Sequence, residues 1–313
     1  MRIINNLVSV VMSIYNEDEK WLSQAIESIL NQIYKEIEFI IVCDNPNNQK
    51  AIELVKKYKM TDDRIKLIKN EKNIGLAASL NKGYSIANGS YFARMDADDI
   101  SLENRLFKQI EYFEGNNCVE LLSTNVMLID EDEQVIRKGS QYPDNHDFIS
   151  ETLMFVNIMN HPSWMMKREV FNKLNGYREY PIAQDYDFLL RAKQAGVQFG
   201  LLNDQLLKYR VRRNSISGTK LLTRLKYNEE LKRRHRTGNE SMVLGFNNKD
   251  YESKLFELSQ KYLKKANYHR FENNMIKSIF WGIISNLLSR HQMKRTYNLL
   301  RFRMIAKKYM GKS

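Results

Sequence analysis

The stretch YFARMDADD, Tyr91–Asp99, runs from an apolar strand pattern straight into three carboxylates, Asp96, Asp98 and Asp99. Carboxylates this close repel one another. Such a cluster either lies solvated in a turn that caps the next helix or gathers around something positive, most simply a hard divalent cation with oxygen ligands. The sequence on either side bears on that choice.

Upstream, the chain alternates between strand and helix. Leu7–Ser13 (LVSVVMS) reads as a buried strand, and Trp21, Leu22, Ala25, Ile26, Ile29, Leu30 and Ile33 then recur at helical spacing. Phe39–Cys43 is a second apolar run, closed by Asp44 and the turn formers Asn45, Pro46 and Asn47. A helix over 49–59, a strand over Ile65–Lys69, and a turn and helix within Asn73–Gly89 carrying Leu76, Leu80 and Tyr84 lead to the strand Tyr91–Met95. Strands separated by helices of this length predict an α/β fold with a doubly wound, mostly parallel sheet. Right-handed crossovers would bring the strand ends Ser13, Asp44 and Asp96 to one edge, where open α/β sheets bind ligands.

The 313 residues suffice for one large α/β domain with an extension or for two domains. Charge is unevenly spread: residues 1–207 hold 23 Lys and Arg against 30 Asp and Glu, and residues 208–313 hold 26 against 7. An acidic body with a basic helical tail fits a cytoplasmic enzyme docked on an anionic surface better than it fits a nucleic-acid binder, so no nucleic acid is expected. Cys43 and Cys118 lie in apolar, strand-like runs without metal-ligand spacing and are expected to be reduced core residues. The apolar run Leu7–Tyr15 meets an acidic segment, unlike a signal peptide, and Ile279–Leu288 is too short to span a bilayer.

Other phosphate and metal motifs do not fit. An EF-hand loop starting at Asp96 would place Ile100 and Ser101 where a ligand and a glycine are required. The terminal Gly311–Ser313 lacks the upstream glycine of a phosphate loop, since Ala306 stands there. The turn after the first strand, IYNEDE, is no dinucleotide fingerprint.

Several ordered segments together resemble family 2 glycosyltransferases of the GT-A fold, with the flavour of bacterial enzymes that build capsule, exopolysaccharide or O-antigen units. They are VSVVMSIYNE (Val8–Glu17), IIVCDN (Ile40–Asn45), NIGLAASLNKG (Asn73–Gly83), ARMDADDIS (Ala93–Ser101), HPSWMMKREVF (His161–Phe171), GYRE (Gly176–Glu179), AQDYDFLLR (Ala183–Arg191) and KYRVRRNSIS (Lys208–Ser217). The resemblance implies a GT-A domain over 1–217, a basic helical region over 218–313, and inverting, metal-dependent transfer of one sugar from a UDP-sugar donor to a saccharide acceptor, lipid-linked in such pathways. It also implies a nucleotide site of Ser13, Tyr15, Glu17, Asp44 and Asp96, with Tyr15 stacking on uracil and Asp44 accepting from the ring N–H. Asp98 and Asp99 would hold Mn²⁺ or Mg²⁺ on the diphosphate, and Asp185 would be the catalytic base. Asp187 is the runner-up base, and a helix N-cap is the plainer role for Asp185.

Against the family pattern, Gln184 replaces a Glu before the base, Cys43-Asp44 replaces an Asp pair, and Arg212 stands where a His is frequent. Arg210, Arg212 and Arg213 would then neutralise diphosphate directly, and His161 would contact the acceptor or serve structure. A nucleotidyltransferase or a catalytically inactive partner subunit are the alternatives. The tail reads as a helix with Leu221, Leu222, Leu225 and Tyr227, another around Tyr251–Tyr262 and a last pair over 271–310, either packed on themselves or forming a peripheral platform on the inner face of the plasma membrane.

Overall fold

The computed structural model describes residues 4–212, 221–238 and 250–311. The chain divides into two compact units, Met1–Glu151 with Asn157–Arg213, and Thr152–Val156 with Asn214–Ser313. The boundary expected between 217 and 218 lies outside the described residues, as does Arg213.

The first unit is built on strands β1 (Ile4–Ile14), β2 (Ile37–Cys43), β3 (Ile65–Lys69), β4 (Gly89–Asp96), β5 (Ile100–Ser101), β6 (Leu121–Ile129), β7 (Val135–Lys138), β8 (Met165–Lys167) and β9 (Phe199–Arg210). Between them run helices α1 (Glu19–Leu30), α2 (Gln49–Thr61), α3 (Leu76–Ser85), α4 (Arg105–Gly115), α5 (His146–Thr152), α6 (Arg168–Lys173) and α7 (Gln184–Gln194). One sheet takes the strands in the order β3-β2-β1-β4-β8-β6-β9-β5, with β7 paired to β6. The strands β1 to β4, β6 and β9 run the same way, and only the short β5, β7 and β8 oppose them. This is the mostly parallel α/β sheet that the alternating pattern predicts.

The near-continuous apolar runs of β1 and β2 reflect burial on both faces: Val8, Val10, Val11, Met12 and Ile14 are buried, as is every residue of β2. Asp18 caps α1 by accepting from the Lys20 N–H at 2.9 Å, and Leu22, Ala25, Ile26 and Ile29 form its buried stripe. Ile33, expected on that stripe, lies past the helix end and is exposed. Past the C-cap Asn31, buried Gln32 donates to Leu102 O at 2.7 Å and accepts from Leu106 N at 3.0 Å.

Glu38, the one charged residue of β2, holds the parallel strands together. Its carboxylate accepts from Ser9 Oγ on β1 (2.5 Å), Lys66 Nζ on β3 (2.5 Å), Gly89 N at the start of β4 (3.2 Å) and the neighbouring Asn88 N. Burial pushes this carboxyl up, but Lys66, Ser9 and Asn88 outweigh it and hold it below its ordinary 4.5. Cys43 is buried at the end of β2, whereas Cys118 is exposed, contrary to expectation, in the turn after α4, because β6 begins only at Leu121.

The second unit contains α8 (Leu221–Thr237), α9 (Asp250–Phe271), α10 (Met275–Leu288) and α11 (Arg290–Met310). Ser285 Oγ donates to Ser259 O at 2.8 Å and Trp281 stacks on Tyr262, joining α10 to α9. Thr296 Oγ1 donates to Asn286 Oδ1 at 2.7 Å, joining α11 to α10. Among the described residues, no helix is long and apolar enough to cross a membrane.

The Glu38 geometry makes a prediction about stability. Glu38→Gln costs about 1–3 kcal/mol at neutral pH, measured by urea denaturation. Because the folded carboxyl lies below 4.5, the excess stability of the natural chain is fully present above that value and disappears as pH falls through the lower folded value. The two denaturation curves therefore converge in acid.

Candidate active site

Parallel pairing fixes the first part of the site. Ser13 stands beside Asp96 across β1 and β4, and Ile14 stands beside Cys43 across β1 and β2, so the ends of the three strands meet at one edge. Asp44 follows, its N–H donating to Ile14 O at 2.8 Å. Its buried carboxylate accepts from Asn70 Nδ2 and Ile74 N through Oδ1 and from Gly75 N through Oδ2, each at 2.9 Å. Gly75 has φ of 86° at the start of α3, a backbone that glycine adopts without strain. Asp44 thus fixes the entry to α3 and retains acceptor capacity, since an ionised carboxylate has about four lone-pair positions. Tyr15 is 44 % exposed just beyond β1, so its ring is not a core side chain, and its N–H donates to Glu17 Oε2 at 2.6 Å.

The acidic turn is held from the far end of β9. Arg210 N donates to Asp99 Oδ1 and Arg210 Nε to Asp98 O, both at 2.8 Å, while Arg212 Nε pairs with Asp98 Oδ2 at 2.8 Å. Arg210 is buried and also donates to Asp130 O, Glu131 O and Gln24 Oε1 over the ring of Trp21. Those contacts leave it little to offer a diphosphate, whereas Arg212 is a third exposed, at 33 % of its side chain. Burial first, and repulsion from Asp96 second, push the Asp98 carboxyl up to about 6, against the pull of Arg212. The same two causes, with Asp98 added, push the fully buried Asp99 well above the usual carboxylate range. Burial also raises Glu17, which feels the charges of both Arg212 and Asp96. Glu17, Asp96, Asp98 and Arg212 therefore form one electrostatic group.

These residues suit a hard divalent cation. The donors are all carboxylate oxygens, Asp98 is raised by burial and by the Asp96 charge, and Asp99 Oδ2 is buried without a partner. Among the described residues, no group of three or more His, Cys, Asp or Glu side chains is arranged to hold a metal. A site here would be completed by substrate phosphate oxygens, as Mg²⁺ sites built on one or two carboxylates are.

The third part lies around Tyr177. His161, on a short 3₁₀ turn (His161–Ser163), shares a 2.9 Å hydrogen bond between Nε2 and Tyr177 Oη, with its ring edge against Trp164. Burial and then the nearby Arg94 charge push His161 well below its ordinary value, so it is neutral at physiological pH. Asp185 sits in the first turn of α7, and its charge, together with that of Arg94, acts on Tyr177, whose hydroxyl burial raises well above the ordinary phenol. The N-cap position is Ala183, in the left-handed region at φ 67°, so Asp185 is not the cap. Asp187 is buried and ion-paired to Arg191 at 2.8 Å and to Arg178 at 3.6 Å, a structural role that leaves no free base.

Two further residues, Arg94 and Asn70, support the site. Arg94 is fully buried, pairs with Asp96 through Nη2, and has no partner at Nε or Nη1. The signal was present: residues i and i+2 on a strand share a face, so Arg94 and Asp96 had to be neighbours. Asn70 donates from Nδ2 to both Asp44 Oδ1 and Ser79 Oγ and accepts from Lys82 Nζ at 2.9 Å. Only the register of β3 against β2 reveals it.

Residues 9–175, more than half of the chain, match the sequence model of Glycosyl transferase family 2. This chain belongs to glycosyltransferase family 2. It is similar to an uncharacterised glycosyltransferase of Methanocaldococcus jannaschii, 44 % identical over 207 residues, covering 66 % of this chain and 71 % of the relative. It is also similar to the O-antigen biosynthesis glycosyltransferase WbnJ of Escherichia coli, 35 % identical, covering 68 % of this chain and 82 % of WbnJ. In structure, residues 1–349 of S. aureus TarS, solved in complex with UDP-GlcNAc, align with a TM-score of 0.61 at 15 % identity over 98 % of this chain and 92 % of that one. This family 2 glycosyltransferase thus has the GT-A fold seen in TarS. The matched stretch ends before Asp185, Arg210 and Arg212.

The pairing of Asp187 carries a prediction. Asp187→Asn removes the buried counter-charge beside Arg191 and costs about 1–3 kcal/mol of stability, read as a lowered thermal midpoint.

Proposed function

We propose that this glycosyltransferase transfers a single sugar, with inversion, from a UDP-sugar to a saccharide acceptor carried on a lipid, in the assembly of a bacterial surface polysaccharide. The observation that carries the reading is the gathering of Ser13, Asp44 and Asp96 at one sheet edge, with Asp98 and Arg212 beside them. The name of WbnJ supports the polysaccharide setting, and the UDP-GlcNAc of TarS supports a UDP-sugar.

In this reading Tyr15 stacks on the uracil, Asp44 accepts from its ring N–H with its remaining lone pair, and Asp96, oriented by Arg94, accepts from the ribose. Asp98, with Asp99 behind it, would hold Mn²⁺ or Mg²⁺. When bound, the cation supplies positive charge to the leaving diphosphate without a proton donor. Arg212 adds a cation of the protein's own, and the buried Arg210 keeps the acidic turn in place. Asp185 takes the proton of the acceptor hydroxyl as its oxygen bonds to the anomeric carbon and the carbon–phosphate-oxygen bond breaks. Attack opposite the leaving group inverts the anomeric centre. The neutral His161, held by Tyr177, lies near the base and is assigned to acceptor contact.

Asp185→Asn lowers kcat by about 10²–10⁴-fold while UDP with Mn²⁺ still raises the thermal midpoint. Retained turnover would overturn the assignment of the base. A screen of UDP release over UDP-sugars and saccharide acceptors, with and without divalent ions, tests donor class and metal dependence together, and NMR of the product reads its anomeric configuration.

A further inference from the structure

The second unit contains a helix turned inside out. In α10 the one buried residue is Ser285, bonded to Ser259 O. Its large apolar side chains Met275, Ile276, Ile279, Phe280, Ile283 and Leu287 are each more than half exposed, from 55 % to 83 %. At 3.6 residues per turn these six fall within about 140° of arc, a continuous face rather than scattered positions. On α11, Met293, Tyr297, Leu300 and Met304 form a second exposed stripe, and the exposed Lys307 and Lys308 fall on its two sides. Isolated apolar side chains on a surface are ordinary, but a contiguous face of this kind marks an interaction surface.

Charge identifies what covers it. Residues 275–310 contain eight Lys and Arg and no Asp or Glu. A second copy of this face would set like charges against like, which disfavours self-pairing. Apolar side chains flanked by cations on a helix are the chemistry that seats in the headgroup region of an anionic bilayer. No described helix can span one, so the face lies along the surface.

We propose that the apolar face of α10, with the basic flanks of α11, docks on an anionic lipid surface. This deepens the acceptor side of the function proposed above by placing the enzyme where a lipid-carried saccharide resides, and it is tested without any sugar present. Full-length protein is sedimented with vesicles of phosphatidylcholine alone or with about one third phosphatidylglycerol. The expected result is binding to the anionic vesicles, weakened by salt and small on the neutral ones. Ile276→Glu with Ile283→Glu lowers anionic-vesicle affinity by at least about tenfold, as does Lys307→Gln with Lys308→Gln. All four residues are exposed, so the circular dichroism spectrum and thermal midpoint stay unchanged, as does turnover on a water-soluble acceptor. Equal binding to both vesicle types, unchanged binding by the variants, or a concentration-dependent dimer lost in Ile276→Glu/Ile283→Glu without vesicle binding would each overturn the proposal.

Discussion

Three carboxylates within four residues can share one turn because the end of β9 reaches back to hold them. The Arg210 backbone and guanidinium fasten Asp99 and the Asp98 carbonyl, and Arg212 takes the Asp98 carboxylate. Much of the first unit is arranged to make that reach possible. Strand β9 is placed by its parallel pairing with β6, and β5, immediately after the acidic turn, pairs antiparallel with β9 through Ile100 and Lys208. The turn is thus anchored on one side by β4 and on the other by β9, with Arg94 beneath Asp96. Burial first, and repulsion among the carboxylates second, outweigh the arginines, so Asp98 and Asp99 remain raised.

The parallel strands were legible because burial on both faces leaves mostly apolar residues, and the helices because one face repeats every three or four positions. From those two periods the meeting of Ser13, Asp44 and Asp96 follows, since right-handed crossovers permit little else. What stayed hidden depends on pairs far apart in sequence. Nothing local shows that Arg178 and Arg191 close on Asp187. Nothing local shows that the donors of Arg210 are already occupied by Gln24 and by carbonyls at 130 and 131. Cys118 misled for the opposite reason: its apolar neighbours belong to β6, which starts three residues later.

The helices of the second unit show where hydrophobic periodicity stops being informative. A stripe such as that of α10 reads identically whether it faces a core or water. On α10 the one buried side chain is the polar Ser285, while Met275, Ile276, Ile279, Phe280, Ile283 and Leu287 are exposed.

Asp44 has a consequence for how donor choice evolves. Its carboxylate holds the entry to α3 through two backbone N–H groups and Asn70. Under the proposed role, the group that reads the nucleobase is thus also a beam of the scaffold. An exchange at this one position that suited a different base would loosen residues 70–75 at the same time. A lineage moving to a purine nucleotide donor would have to rebuild that whole segment in concert. Under that role, the nucleotide half of the donor is tied to the backbone of the scaffold itself.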